Sequence, residues 1–275
     1  SVEVIQNPGA TYDASVNAVI KIKTIKKKGE GFGFDTRSVY WYNKHDNTIQ
    51  QVNMNYRHNG LNLFATYKFS DATWMQKATY EQTVHVDTLW QQHNNNEVTG
   101  RIESHRLISG FSYDFNANHS IGTRYTLTSP GYSRSKVFFD SQVTADDKFY
   151  DYIKTDGLSV DKDNPSHQLN AYYNGILGKT TIDLNTDLYF STNRAYAYSD
   201  EQSQEHDSRN INSKNRVSNK MVATKLVITS PLLGGNLSYG AEYINTHRND
   251  DYEVNRTDLL ANSYSKLEEQ TASPF

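Results

Sequence analysis

A two-residue alternation of apolar and polar side chains restricts the fold of this chain more than any other feature. A helix would scatter such residues around its circumference, whereas a β-strand places every second residue on one face. Segment 181–190 carries Ile182, Leu184, Leu188 and Phe190 on one side and Asp183, Asn185, Asp187 and Tyr189 on the other. The pattern recurs in segments 51–57, 61–70, 107–115, 121–128, 168–177, 222–228 and 237–243. The chain is therefore predicted to be all-β, with strands that each have an apolar and a polar face.

The connections between these segments are of two kinds. Some are short and rich in turn residues, at 59–60, 116–118, 178–179 and 233–236. Others are long, polar and charged, at about 71–105, 129–165, 196–218 and 248–266, with 43–47 as a short member of this class. The two kinds alternate along the chain. Successive connections of an up-and-down antiparallel sheet lie at opposite ends, so the short turns would share one end and the long loops the other, as in a transmembrane β-barrel.

The predicted fold class is thus all-β, an antiparallel up-and-down transmembrane β-barrel of about ten strands counted from Gly31. A soluble sandwich is the alternative, because its strands carry the same alternation and bury their apolar faces against each other. The asymmetry of the connections favours the barrel.

Composition excludes several other classes of protein. The chain has 28 Lys and Arg against 31 Asp and Glu, a formal net charge of −3, and this balance argues against nucleic acid as a partner. It contains no cysteine, which excludes a disulfide scaffold, a thiolate metal site and a cysteine nucleophile. No stretch approaches the ~18 consecutive apolar residues of a membrane-spanning helix.

The first 28 residues have a different character. A short strand at 2–5 is followed by a turn containing Asn7-Pro8 and Tyr12-Asp13, and a second strand beginning near Val19 ends in the basic run 26–28. This order resembles the end of the plug domain of TonB-dependent outer-membrane receptors, in which the last plug strand leads directly into the first barrel strand. Among these receptors, the order resembles that of the outer-membrane β-barrel family of TonB-dependent-receptor-like proteins.

The resemblance implies a domain organisation and a function. Residues 1–28 would be the C-terminal end of a plug domain, and residues 29–275 the N-terminal portion of the barrel. Plugged barrels of this family have 22 strands, so about ten would form roughly half. The implied function is uptake of a scarce nutrient across the outer membrane of a Gram-negative bacterium. The implied partners are outer-membrane lipid, a TonB-type energy-transducing protein acting through an N-terminal region that this sequence lacks, and a small-molecule, glycan or peptide ligand.

Two sets of candidate site residues follow from the barrel interpretation. The long connections would bind the ligand through aromatic and amide side chains, because such loops are where scaffolds of this kind place function. The candidate ligand-binding residues are Trp74, Trp90, Asn95 and Tyr132. The polar faces of the strands would line the lumen, and the candidate lining residues are Asp183, Asn185, Asp187, Lys225 and Glu242.

Catalytic and metal chemistry find little support in the sequence. The histidines at 45, 85 and 93 and the acidic residues at 200, 201, 205 and 207 lack the spacing of a metal site, so no metal and no cofactor are predicted. No nucleophile–base pair stands out, so the chain is not predicted to be an enzyme, and an outer-membrane barrel enzyme is the least favoured function. The main alternative to transport is a soluble or cell-surface all-β binding module, for example one that binds carbohydrate.

Overall fold

The computed structural model describes residues 2–6, 18–22 and 29–275, and all regular structure in these ranges is β-strand. No helix there is long and apolar enough to cross a membrane. The strands are β1 (Val2–Gln6), β2 (Ala18–Ile22), β3 (Gly31–Tyr42), β4 (Asp46–His58), β5 (Leu61–His85), β6 (Leu89–Asn116), β7 (His119–Ala145), β8 (Lys148–Asp161), β9 (Ser166–Leu177), β10 (Thr180–Ser203), β11 (Arg209–Leu232), β12 (Gly235–Val254) and β13 (Ser263–Pro274).

The strands form two antiparallel sheets. β1 and β2 pair with each other, so the two predicted N-terminal strands are confirmed. The predicted turn around Asn7-Pro8 and Tyr12-Asp13 and the basic run at 26–28 lie outside the described residues. The other eleven strands form one sheet in which each strand follows its sequence neighbour from β3 to β13. The predicted all-β, up-and-down antiparallel fold is confirmed.

β8 and β9 together occupy one position in the large sheet. β8 pairs with the second half of β7, and β9 continues in the same direction along the first half of β7, after a break at 162–165. Both also pair with β10. The eleven strands therefore fill ten positions, as the sequence predicts.

The segments predicted from their alternation, from 51–57 to 237–243, lie in strands and present one apolar and one polar face. Directly opposed residues in an antiparallel sheet point to the same face, so one parity can be followed from strand to strand. We name the face that carries Leu184, Leu226 and Tyr173 the outer face, and the face that carries Asp183 and Lys225 the inner face. Near the end of β10, the inner-face residues 199, 201 and 203 are half-buried, while the outer-face residues 198, 200 and 202 are exposed.

The predicted long loops are wrong. Residues 71–105, 129–165, 196–218 and 248–266 belong mostly to paired strands that extend far beyond the alternating segments. β5 and β6, for example, remain paired from Leu61↔Tyr113 to His85↔Leu89, and their connection is only 86–88. Threonine, tyrosine and valine favour extended backbone even where charged residues alternate with them, and cross-strand ion pairs add to the pairing. We name the part of the sheet formed by these continuations the extension.

The short connections are confirmed as tight turns. Asn59 and Gly60 both have positive φ, 46° and 79°, which is the backbone of a type I′ hairpin turn. Leu233 and Gly234 adopt the same backbone, with φ of 50° and 81°. Glycine and asparagine tolerate this conformation, whereas leucine is strained in it. These turns lie at the end of the sheet opposite to the extension.

Two irregularities at the same level of the sheet compensate each other. Gly131 is an extra residue in β7 relative to β6, because Glu103 faces Tyr132 while Ser104 faces Pro130. The break at 162–165 adds one residue relative to β10. Between β7 and the β8–β9 position the register does not change. The two extra residues therefore lie opposite each other, and the register of β6 relative to β10 is the same on both sides of this level.

Within residues 2–6, 18–22 and 29–275, no second layer packs against the outer face of the large sheet. Among residues whose burial is described, Val254 is the only buried hydrophobic residue. Many large apolar side chains of the outer face are exposed, among them Leu237, Tyr239 and Tyr243. This arrangement differs from a sandwich, in which such residues would form a dry core.

Replacing Leu233 by asparagine is expected to stabilise the protein by about 1 kcal/mol, because asparagine tolerates positive φ. The leucine side chain is 99% exposed, so its loss removes no packing. The thermal midpoint in detergent micelles measures the effect. Leu232→Asn is the control, since Leu232 ends β11 and has no positive φ; an equal gain in both variants would contradict the explanation.

Candidate functional site

One row of directly opposed residues crosses the whole inner face. It contains three of the five predicted lumen-lining residues, Asn185, Lys225 and Glu242. The Nζ of Lys225 lies 3.5 Å from Oε2 of Glu242. The complete row from β3 to β13 is Gly31, Arg57, Asn62, Ser112, Gly122, Tyr172, Asn185, Lys225, Glu242 and Ser273. The other two predicted residues, Asp183 and Asp187, lie on the same face of β10, on either side of this row.

Side-chain hydrogen bonds connect neighbouring strands across the inner face. Asn53 on β4 donates to Oδ2 of Asp35 at 2.6 Å and accepts a hydrogen bond from Thr66 at 2.8 Å, which links β3, β4 and β5. Asn170 on β9 donates to Oδ1 of Asn185 on β10 at 2.7 Å. The inner face next to the short turns is therefore a hydrogen-bonded polar surface that carries both signs of charge.

The predicted ligand-binding residues all lie in strands rather than in loops. Trp74 on β5 and Trp90 on β6 share the inner face of the extension, opposite Gly100 and Val84. Asn95 lies on the outer face of β6, where it accepts a hydrogen bond from Thr79 at 3.0 Å. The structure therefore brings the two tryptophans to one surface and places Asn95 on the other. Tyr132 belongs to β7 and lies opposite Glu103, and its side chain is outside the described part of the structure.

Three aromatic rings meet near the far end of the extension. Trp90 packs edge-on against Tyr150, with 4.7 Å between ring centroids and an interplanar angle of 87°. The ring centroid of His206 lies 5.6 Å from that of Tyr150. We name Trp90, Tyr150 and His206 the tip cluster. Its members come from the start of β6, the start of β8 and the connection between β10 and β11, and the pairing of these strands brings them together.

A buried carboxylate holds the β10–β11 connection beside the tip cluster. Asp151 is only 3% exposed. Its Oδ1 accepts hydrogen bonds from the N–H groups of Tyr152, Gln204 and Glu205 at 2.7, 3.1 and 3.3 Å. Its Oδ2 accepts one from the hydroxyl of Ser203 at 2.7 Å. Four donors on one carboxylate fix the backbone from which the side chain of His206 projects.

These hydrogen bonds also set the protonation of the carboxylate. Removal from water acts to raise the pKa of Asp151, but the hydrogen bonds from Ser203 and from the N–H groups of Tyr152, Glu205 and Gln204 outweigh it, so the pKa lies below its ordinary value of 3.8. Nδ1 of His206 lies 3.3 Å from Oδ2 of the ionised group.

Sequence reasoning missed Tyr150, Asp151 and His206. All three lie in stretches predicted to be loops, and their partners are far away along the chain, as with Ser203 and Asp151, which are 52 residues apart. The Tyr-Asp-Tyr triplet at 150–152 is the only local signal. The triplet indicates a binding partner for Asp151 only once β8 is known to pair with β10.

The part of the chain that the structure describes contains no group of three or more His, Cys, Asp or Glu side chains arranged to hold a metal ion. Asp200 and Glu201 point to opposite faces of β10. Glu201 accepts a hydrogen bond from Nε of Arg209 at 2.9 Å.

Comparisons with known proteins give matches among solved structures alone. No family model and no curated protein matches the chain. The unliganded ferric citrate transporter FecA is 9% identical, with 99% of this chain and 46% of that chain covered and a TM-score of 0.39. The siderophore receptor PiuA from Acinetobacter baumannii is 10% identical, with 95% and 48% covered and a TM-score of 0.35. The chain spans about half the length of these receptors.

Replacing Asp151 by alanine is expected to release the β10–β11 connection, because four donors lose their shared acceptor. Amide hydrogen exchange at Gln204 and Glu205 should accelerate at least about tenfold. Asp156→Ala is the control, since Asp156 lies on the exposed outer face of β8. Equal acceleration in the control, or none in Asp151→Ala, would contradict the proposed anchoring.

The same carboxylate predicts a pH dependence. Because its pKa is lower in the folded state, its contribution to stability is complete above the ordinary carboxyl pKa and is lost as the pH falls through the lowered value. Exchange at Gln204 and Glu205, corrected for the intrinsic rate, should therefore stay constant down to about pH 4 and rise only below it. A rise between pH 7 and 5 would show that another group controls the connection.

Proposed function

We propose that this chain forms part of the wall of an outer-membrane β-barrel, in a TonB-dependent-receptor-like transporter of a Gram-negative bacterium that takes up a scarce nutrient. In this proposal the outer face contacts lipid and the inner face lines a polar passage. Residues 1–28 form the end of a plug domain, and residues 29–275 form the N-terminal portion of the barrel. A TonB-type protein supplies the energy that displaces the plug.

The observation that carries the proposal is an uncharged band on the outer face. In each segment of this band, none of the outer-face residues is Asp, Glu, Lys or Arg. The segments are 32–38, 52–56, 61–69, 107–115, 121–127, 169–177, 182–190, 222–228 and 237–243. The band runs unbroken from β3 to β12. The inner face at the same level is polar and charged. A wall between lipid and a water-filled passage requires this division.

The height of the band fits a bilayer. The segments in β5, β6, β9 and β10 are nine residues long. At ~3.3 Å per residue they extend about 30 Å along the strand, which a tilt of about 35–45° reduces to about 21–24 Å. On two strands a charged residue follows the band directly on the outer face: Asp71 follows Phe69 on β5, and Lys220 lies next to Val222 on β11.

Tyrosine–histidine pairs mark the borders of the band. The hydroxyl of Tyr67 lies 2.7 Å from Nδ1 of His105, and the hydroxyl of Tyr125 lies 2.7 Å from Nδ1 of His167. A third pair, His119 with Tyr173 at 2.8 Å, lies near the short turns. Side chains with an apolar ring and a polar tip suit the interface between hydrocarbon and water.

The alternative of a soluble binding module requires something to cover the outer face. A sandwich would bury Leu184, Leu226 and Tyr239 between two layers, but the sheet is a single layer and Tyr239 is 45% exposed. An uncharged surface of this extent is unusual for a soluble monomer. β3 and β13 each pair on one side only within the described ranges, so further strands can join both edges.

The absence of cysteine makes the proposal directly testable. Two single-cysteine variants of neighbouring residues, Leu184→Cys and Asn185→Cys, place one thiol on each face of β10. In outer-membrane preparations of the full chain, a fluorophore attached at position 184 should be quenched by bromine-labelled lipid acyl chains, and one attached at position 185 should not. A water-soluble maleimide should label Asn185→Cys at least about tenfold faster than Leu184→Cys.

The soluble alternative predicts a different outcome. In a sandwich, position 184 would be protected from the maleimide but would also be out of reach of the lipid quencher. Recovery of the chain in the soluble fraction without detergent, or equal quenching at positions 184 and 185, would refute the membrane proposal.

A further inference from the structure

The two faces of the β5–β6 extension differ in charge. Fourteen inner-face residues, the even-numbered residues of 72–84 and 90–102, include no Asp, Glu, Lys, Arg or His. The odd-numbered residues of 71–85 and 89–103 face outward and include Asp71, Lys77, Glu81, Glu97, Arg101 and Glu103. Cross-strand ion pairs join Arg101 to Asp71 at 2.8 Å and Lys77 to Glu97 at 2.7 Å on that outer face.

Contact with water alone does not account for this difference. Beyond the uncharged band, both faces of the extension border an aqueous compartment, and charged residues would be tolerated on either. The inner face nevertheless consists of three aromatic residues, five amides, five aliphatic residues and Gly100. Its amide-bearing residues 92, 94 and 96 are half-buried, whereas the outer-face residues 91, 93 and 95 are exposed. On β6, the uncharged face is thus the less exposed one at this level, while Tyr80 and Val84 of the same face on β5 are exposed.

We propose that this inner face and the tip cluster bind a neutral oligosaccharide. The proposal rests on the transporter function above and names its substrate class. Sugar rings present apolar C–H faces that pack on aromatic rings, and hydroxyl groups that both donate and accept hydrogen bonds. Glutamine and asparagine match such hydroxyls because each amide has both a donor and an acceptor. An anionic iron chelate would call for Lys or Arg, and a cation for Asp or Glu.

Trp74 supplies one end of the surface. Its indole lies directly against Gly100 on β6, where any Cβ would overlap the ring, so the missing side chain of glycine allows this position. The tryptophan keeps 38% of its surface exposed. Its ring is held by the backbone of the neighbouring strand, which reduces the entropy lost when a ligand packs on it.

The tip cluster supplies the other end. Trp90 and Gly100 are ten residues apart on one strand, which corresponds to about 33 Å. Tyr80 lies between the two ends on the same face and is 47% exposed. Gln92 and Asn94 beside it are already connected by a 2.8 Å hydrogen bond from Nε2 of Gln92 to Oδ1 of Asn94. The length and spacing suit a chain of sugars more than a single compact molecule.

The test uses the full chain in detergent micelles and isothermal titration with neutral hexasaccharides of glucose, xylose, mannose and galactose. Ferric citrate serves as the anionic probe. At least one hexasaccharide should bind more tightly than ferric citrate. Its affinity should change less than about twofold between low and high salt, because no ion pair is involved.

Variants locate the site. Trp74→Ala and Trp90→Ala should each weaken hexasaccharide binding at least about tenfold. Met75→Ala is the matched control for Trp74, because Met75 is the next residue, is also 38% exposed and faces outward. Gln91→Ala is the corresponding control for Trp90. Trp74→Phe keeps a ring and should retain more affinity than Trp74→Ala, which separates loss of stacking from loss of fold.

Three results would overturn the proposal: no binding of any of these hexasaccharides at millimolar concentration, tighter binding of ferric citrate, or equal losses in the Trp74→Ala and Met75→Ala variants. Flotation of the same preparations with liposomes reports separately on the membrane function. A chain that floats but binds no sugar refutes the substrate class alone, and a chain that binds sugar but does not float refutes the transporter.

Discussion

The backbone ladder between neighbouring strands is the constraint on which the rest of the structure depends. Directly opposed residues share a face, so the ladder continues each face of the sheet from β3 to β13. Leu184, Leu226 and Tyr173 therefore lie together although they are distant in sequence. A hydrophobic core has almost no part in this, since Val254 is the only buried hydrophobic residue among those whose burial is described. The register of the strands therefore determines which residues come together, whereas core packing does so in most soluble folds.

The same ladder supports opposite surface chemistry at its two levels. Near the short turns, the outer face is apolar and the inner face carries Asp183, Lys225 and Glu242. In the β5–β6 extension, the outer face is charged and the inner face is neutral, with Trp74 and Trp90 on it. A change in the polarity of alternating residues achieves this reversal without any change in backbone geometry. The two levels of the sheet thus present opposite distributions of charge on their two faces.

Alternation predicted the faces near the short turns correctly, because apolar and polar residues differ strongly there, as in segment 181–190. It failed in the extension. Residues such as Thr73, Lys77 and Glu81 alternate with Trp74 and Tyr80, but neither set is uniformly apolar, so the stretch resembled a loop. Composition groups Asn95 with the tryptophans, but its odd position places it on the other face. The Asp151 network could not be predicted, because it depends on β8 and β10 becoming neighbours across a break in the strand.

The paired extra residues in β7 and in the β8–β9 position affect how this sheet can vary in length. Gly131 shifts β7 against β6, the break at 162–165 shifts its partner against β10, and the two shifts cancel. Deleting one of them alone would move every side chain of the adjoining half-strand to the opposite face of the sheet. Deleting both would restore the pattern on either flank. Related chains should therefore gain or lose residues at these two places together, and a gap at one place in an alignment identifies the position of its counterpart.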